Sequence, residues 1–296
     1  PWQIQGNNVD FVVELDRVGD PEKIISGTTV LTKSPDRLLI SELTARFMRA
    51  TEYYRDGFSM QAGAGGTALA STIFLKDMMK DDGIKARFMR GGSTKYLVEI
   101  LEEGLTDFIL DGQTFDLEGV RSMRENAGHQ NTSPFTSYNW HGKGNFASMV
   151  DVVGLGATEV DVNFNATVVT HSDGRLLHGI GGWQNCLASK CTILPIPSFR
   201  DRIPVIVDEV TTLCGPGELI DVIVTERGIC INPLRRDLID TMAGSSLPIV
   251  DIRELKADVE EICGGAPAKP ELGEKVVAAI KWVDGTVIDC VRAVEA

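Results

Sequence analysis

The sequence contains no apolar run of the roughly 20 residues that a membrane-spanning helix needs; stretches such as CTILPIP and KVVAAIKWV fall far short. Nothing near the amino terminus joins the basic, apolar and small-residue regions of a secretory leader. Both absences point to a soluble, cytoplasmic protein with no membrane partner. There is no CxxC pair. Cys186, Cys191, Cys214, Cys230, Cys263 and Cys290 are scattered, mostly inside apolar segments, where a reduced thiol packs as a small hydrophobe. His129, His141, His171 and His178 show no HExxH or Cys/His spacing, so no metal site is expected. Nor is there a Lys/Arg run. A net charge of −13 and a pI near 4.8 argue against nucleic acid as a partner, because its phosphates would be repelled.

What is present is an ordinary globular composition: 296 residues, 43% of them hydrophobic, enough for a substantial core without disulfides or metals. The first residue is proline, and the strand-like VDFVVELD follows soon after, so the chain reads as the later part of a longer polypeptide. PDRLLISELTARFMRA, TALASTIFLKDMM and STKYLVEILEEG have helical character and alternate with the strand-like GFSMQ, KARFMR and DFILD. Such alternation predicts an α/β fold with a mainly parallel sheet flanked by helices. Ser34 before Pro35 predicts a helix start, serine as cap and proline in the first turn. The polar stretch 125–145 reads as one long loop. From 149 onward the pattern is strand-rich, including RLLHGIGG and RIPVIV, and the end reads as a helix from near Asp251 and a hairpin turned at Asp284-Gly285. The domain reading is a connecting segment, 1–33, and one α/β domain, 34–296.

Three glycine turns stand out: Gly63 to Gly66, Gly91-Gly92 before Ser93, and Gly179 to Gly182, each expected between a strand and a helix. Gly63-x-Gly65-x-x-Ala68 satisfies the dinucleotide fingerprint, but the acid expected about twenty residues later would fall within the basic KARFMR. Arg90 could instead read a 2′-phosphate, which keeps an NADP enzyme open. Bare backbone amides at a helix start equally suit a carboxylate or a developing oxyanion.

Several longer blocks carry a resemblance: SGTTVLTKSP, GFSMQAGAGGTALA, RGGSTKYLVEILEEG, TEVDVNFNATVVTHSDG, the GIGG turn and RIPVIVDEVTTLCGPGELIDVIVTERGICINP. Together, from about residue 9 to about 255, the chain resembles the second half of the citrate lyase alpha subunit, a relative of the CoA transferases. The resemblance implies a CoA-transferase-like α/β fold and an upstream half of similar fold. It implies a transferase that exchanges acetate for citrate on an acyl carrier protein, with a separate beta subunit to cleave the product. The thioester, acyl-carrier protein or acetyl-CoA, would be a substrate, and no tightly bound cofactor is implied. An oligomer is expected. Two rivals stay open: another acyl-thioester transferase or hydrolase of the same fold, and a non-catalytic subunit that binds the carrier protein.

Moving a thioester between two carboxylic acids needs an attacking carboxylate, a thiolate leaving group and donors for the tetrahedral oxyanion. Amides of glycine turns suit the last task because they are fixed in advance. Gly65, Gly66, Gly181 and Gly182 are therefore the candidate catalytic positions, and Gln61, Gly63, Arg90, Gly91, Gly92, Ser93 and Asn165 the candidate substrate-binding ones. Covalent CoA transferases carry a nucleophilic glutamate where Gly91-Gly92 stand, and its absence implies direct exchange without an acyl-enzyme. Lys95, Arg200 and Arg202 are further candidates for a carboxylate; Glu159, Asp161 and Glu226 lie in the matching blocks. One departure is clear. The family motif has His and, two residues on, Asp after its glycine turn, whereas this chain has Trp183 and Asn185, and Trp183 is expected to act as an apolar wall.

Overall fold

The computed structural model describes residues 5–17, 19, 30–63, 65–139 and 145–295. Much of the expected connecting segment, residues 1–4, 18 and 20–29, lies outside the described residues. Helix α1 (Pro35–Ala50) starts where expected, with Ser34 at the N-cap and proline in the first turn. The Ser34 hydroxyl, however, bonds the Asp36 carboxylate and no backbone N–H. The preset φ of proline and an acid near the positive helix end, rather than a serine cap, mark the start.

Strands β1 (Phe58–Ala62), β2 (Ala86–Ser93) and β3 (Ile109–Thr114) alternate with α2 (Gly66–Asp82), α3 (Lys95–Glu102) and α4 (Leu117–Glu125). The stretch read as one long loop instead carries β4 (His129–Asn131) and a short helix α5 (Pro134–Tyr138), capped by Ser133 accepting from the Thr136 amide. Residues 140–144 of that stretch, His141 among them, lie outside the described residues. Next come β5 (Val152–Gly154), β6 (Glu159–Asp161), β7 (Ala166–Thr167), α6 (Trp183–Cys186) and β8 (Cys191–Pro195). RIPVIV divides, since β9 (Phe199–Arg200) pairs with β10 (Ile203–Pro204) and β11 (Ile206–Val207) joins another sheet. The chain ends through β12 (Val222–Thr225), β13 (Gly228–Ile231), α7 (Arg236–Met242), α8 (Ile252–Cys263) and the ribbon β14 (Leu272–Lys281) with β15 (Val287–Val294). Asp251 caps α8 by accepting from the Arg253 and Glu254 amides.

Two strand expectations fail. Leu176 makes only an isolated bridge with Thr170, so RLLH is no strand. VDFVVELD pairs with no sheet among the described residues, and Phe11, Val12, Val13 and Leu15 are exposed. Apolar, β-prone residues form a strand only where a neighbouring edge receives them.

The main sheet has the order β13-β12-β8-β5-β1-β2-β3-β4. Its neighbours are parallel except for β12 with β13. From β1 the chain winds outward through β2, β3 and β4, then returns to lay β5 on the other side of β1. The switch point between β1 and β5 is where open α/β sheets hold ligands, beyond the carboxyl ends of the strands.

Alternation along the strands divides two cores. Met60, Met89, Val152, Ile193 and Val222 pack beneath Phe47, Leu75 and Leu97 of α1, α2 and α3. Phe88, Val153, Leu194 and Ile223 face the other way, toward Val160, Ile206, Leu187 and Val259. All six cysteines are free thiols. No helix among the described residues is long and apolar enough to cross a membrane.

Candidate functional site

A cleft of about 320 Å³ opens at the carboxyl ends of β1, β2 and β3, beside the switch point. Its floor is mainly backbone: Gly63, Gly91, Gly92 and Gly112, with the side chains of Gln61 and Gln113. Its walls are Phe115, Tyr138, Leu155, Trp183 and Cys186, with Gly182 at the start of α6. Among the described residues, no Asp, Glu, Lys or Arg lines it. Nor, among them, do three His, Cys, Asp or Glu side chains converge anywhere as metal ligands would.

Two glycines are required by what lies against them. Gly91 has φ +118°, and a Cβ there would sit 3.0 Å from the Ala62 carbonyl oxygen. At Gly92 an added Cβ would lie 1.5 Å from Cε2 of Phe115. The bare backbone thus lets an aromatic wall rest directly on the strand end.

Asp111 fixes this floor from below. Its buried carboxylate accepts from the Ser93 amide (3.2 Å), the Ser93 hydroxyl (2.6 Å), the Gln113 amide (2.8 Å) and the Thr114 hydroxyl (2.8 Å). His129 Nε2 lies 3.4 Å away, and its Nδ1 is 2.9 Å from the Ser122 hydroxyl. Burial pushes the Asp111 carboxyl up, but the hydrogen bonds from His129, Ser93, Thr114 and Gln113 outweigh it and hold the group below the usual carboxylate range.

Of the expected substrate-binding positions, Gln61, Gly63, Gly91 and Gly92 come together in the cleft, and Gly182 joins them from the expected catalytic set. The others lie elsewhere. Gly65 is the exposed N-cap of α2. Gly66 packs against the segment before α1, where an added Cβ would meet the Val30 carbonyl oxygen at 2.7 Å. Gly181 is exposed in a left-handed turn, φ +60°, beside Gly182. Ser93 is committed to Asp111. Asn165 donates to Asp161 (3.0 Å) and accepts from the Gly217 amide (2.9 Å), completing a turn in another part of the fold. Arg90 is 1% exposed beneath the floor and is not a lining residue.

The charged candidates outside the cleft serve local structure. Arg200 donates to the carbonyls of Thr158 (2.7 Å) and Ala157 (2.8 Å), and Arg202 to Ile262 (3.0 Å). Lys95 lines a separate groove with Tyr96 and Leu117. Glu159 accepts from the Thr211 amide, Asp161 from the Asn163 and Asn165 amides, and Glu226 from Ser198.

Sequence reasoning misses Tyr138, Phe115, Gln113 and Cys186 as lining residues: distance from the three glycine turns hides the first three, whereas Cys186, four residues after Gly182, reads as a small buried hydrophobe. Cys186 Sγ is 2.7 Å from Gln61 Nε2, and burial pushes its thiol up to about 11. Trp183 donates from Nε1 to the Gly156 carbonyl (2.8 Å), and Asn185 Nδ2 to the Tyr138 carbonyl (2.9 Å). Trp183 and Asn185, read from the sequence as a departure from the motif it resembles, therefore hold the walls together. Asn185 donates to a carbonyl that an aspartate carboxylate in its place could not satisfy.

Comparison with known proteins gives the family of the chain. The family model for the citrate lyase alpha subunit (CitF) matches residues 1–294. The chain is 40% identical over all 296 of its residues to the citrate lyase alpha chain of Klebsiella pneumoniae, covering 58% of that protein. It is 39% identical, with the same coverage, to that of Escherichia coli K12. It superposes on the citrate-bound alpha subunit of citrate lyase from Streptococcus mutans with a TM-score of 0.93 and 42% identity, covering 98% of this chain and 57% of that one. The chain thus spans little more than half the length of the relatives it matches, and it belongs to the citrate lyase alpha subunit family.

Proposed function

We propose that this chain supplies an acyl-transfer site that exchanges acetate for citrate on an acyl carrier protein, the product passing to a separate beta subunit for cleavage. The observation that carries the reading is the cleft itself, with a floor of glycine backbone at the switch point and no carboxylate among its described lining residues. Citrate bound to the Streptococcus mutans relative supports a tricarboxylate as the acid, and acetyl-carrier protein or acetyl-CoA is the thioester. Gln61, Gly63, Gly91, Gly92 and Gly182 are the residues proposed to meet the reactants.

The exchange needs no acyl-enzyme. A citrate carboxylate attacks the acetyl thioester carbon, and amides of the glycine floor hold the resulting oxyanion. A preset oxyanion donor is typically worth about 3–4 kcal/mol in the transition state. Collapse breaks the C–S bond and gives a mixed anhydride and the carrier thiolate. The thiolate then attacks the citryl carbonyl, forming citryl-carrier protein and releasing acetate. No proton is gained or lost overall, since both acids are ionised at neutral pH. Among the lining residues Cys186 is the obvious nucleophile, and its raised thiol keeps it protonated and unreactive. Phe115, Tyr138, Leu155 and Trp183 exclude water from the hydrolysable anhydride.

Borohydride reduction during turnover tests this scheme: activity is expected to persist, whereas reductive inactivation traced to one carboxylate would refute it. Binding of the carrier protein without any acyl exchange would instead favour a non-catalytic subunit, the reading that Trp183 and Asn185 in place of His and Asp support.

A further inference from the structure

Arg90 is the largest fully buried side chain among the described residues, at 1% exposure. It stands directly across from Gln61 in the parallel register of β1 and β2, so both side chains leave the same face of the sheet. Its Nη1 donates to the Ser137 carbonyl at 3.3 Å, and its guanidinium carbon lies 4.7 Å from the centre of the Tyr138 ring. Among the described residues, Nε and Nη2 have no hydrogen-bond partner and no Asp or Glu pairs with Arg90.

This arrangement is costly as it stands, because a buried cation is normally paired. Arginine cannot escape by losing its proton: burial lowers its pKa, but from a starting value too high for neutralisation at neutral pH. Neither neighbouring titratable group supplies an anion. Burial pushes the Tyr138 phenol up, and it pushes the Cys186 thiol up to about 11, so both are neutral at neutral pH. Yet Tyr138, Cys186 and Gln61 all line the cleft, so the guanidinium lies one side chain below its floor. Gln61 Oε1 is also without a hydrogen-bond partner among the described residues, although Gln61 is only 6% exposed. Two unsatisfied polar groups in neighbouring register thus underlie the same space.

We infer that a carboxylate of the bound acid is the counter-ion of Arg90. The guanidinium stabilises that carboxylate electrostatically across Tyr138 and Gln61, and Arg90 acts as a specificity-determining residue that favours an acid with carboxylates to spare. One carboxylate reacts while another remains paired. This rests on the proposed citrate-exchange reading. It carries a physical signature that a structural arginine would lack: the buried charge weakens the free protein and strengthens the bound one.

The test uses the native chain with its carrier protein, comparing wild type with Arg90→Met, Arg90→Gln and Arg90→Lys by thermal unfolding and calorimetric titration with sodium citrate, against sodium chloride at equal ionic strength. Arg90→Met, similar in length and apolar, is expected to unfold at the same temperature as wild type or higher without citrate, while citrate affinity falls at least a hundredfold. Arg90→Gln should lose affinity likewise, which keeps the test decisive if the methionine variant fails to fold, and Arg90→Lys should restore part of the binding. Unchanged citrate affinity in the neutral variants overturns the inference alone. So does a neutral variant that folds but is markedly less stable than wild type without citrate. Absence of citrate binding by the wild type overturns both the inference and the reading beneath it.

Discussion

Asp111 and Ser93 are joined twice, the carboxylate accepting the Ser93 amide at 3.2 Å and its hydroxyl at 2.6 Å, so that one acid ties the ends of adjacent strands β2 and β3. The same carboxylate accepts the Gln113 amide, which places the second turn of the floor against the first. Replacing Asp111 with asparagine removes the charge and leaves donors without acceptors. Asp111→Asn is expected to lower unfolding free energy by about 2–4 kcal/mol, measured by urea titration. Because the folded pKa is depressed, Asp111's contribution is fully present above the unfolded value of about 3.9 and is lost as pH falls from there through the folded value. The Asp111→Asn penalty should therefore be constant from about pH 5 to about pH 7 and shrink in more acid solution.

The contact between Gly92 and Phe115 predicts a rescue. Gly92→Ala drives a methyl group into the ring and should destabilise the protein by about 1–3 kcal/mol. Adding Phe115→Ala relieves the overlap, so the double variant should lose less stability than the sum of the two single losses. Strict additivity in denaturant titrations would show that the overlap is not what makes glycine necessary there.

The buried thiols predict the alkaline limit of stability. Burial raises Cys186 to about 11 and Cys230 to about 12, while a thiol in the unfolded chain titrates near about 8.5. Between these values the unfolded chain has released protons that the native chain retains, so stability falls as pH rises. The contribution of Cys186 is fully present below about pH 8.5 and is lost through about pH 11. Cys186→Ser should flatten this slope. In the native protein at about pH 8, just below the ordinary thiol value, iodoacetamide should leave Cys186 unmodified, as mass spectrometry of the digested protein would report.

Restoring the family residues should not restore anything. Asn185→Asp sets a carboxylate against the Tyr138 carbonyl in place of a donor, and Trp183→His gives up the apolar wall and threatens the bond to Gly156. The double variant is expected to exchange acyl groups no faster than wild type and to lose about 1–3 kcal/mol of stability. A rate gain above about a hundredfold, the lower range of general acid–base catalysis, would show that the missing pair is essential to the chemistry.

Much of the floor, Gln61, Gly63, Gly91 and Gly92, was legible in the sequence because glycine suits a strand end that turns or meets another chain segment, and alternation around it marked β1, α2, β2 and α3; Gly112 and Gln113 were missed. The walls were not. Phe115 follows β3 and Tyr138 ends α5, and tertiary folding alone brings them to Gly92 and Gly182. Asn165 reads from the sequence as a substrate-binding candidate, yet Asp161, four residues earlier, uses both its backbone and its side chain. Arg90 shows the same limit differently: strand alternation places it on the face of Gln61, but no local pattern states that its head is buried with no anion among the described residues. RLLH and VDFVVELD have strand-forming residues, but a strand also needs a sheet edge to pair with, which composition does not supply.

The central claim is tested most directly by acyl exchange in the native chain with acetyl-carrier protein labelled in the acetyl group. On addition of citrate, the account predicts release of labelled acetate in equal amount to the citryl-carrier protein formed, with no label on the enzyme at any time. Labelled acetyl groups attached to the chain, or acetate released by water without citryl-carrier protein, would contradict it.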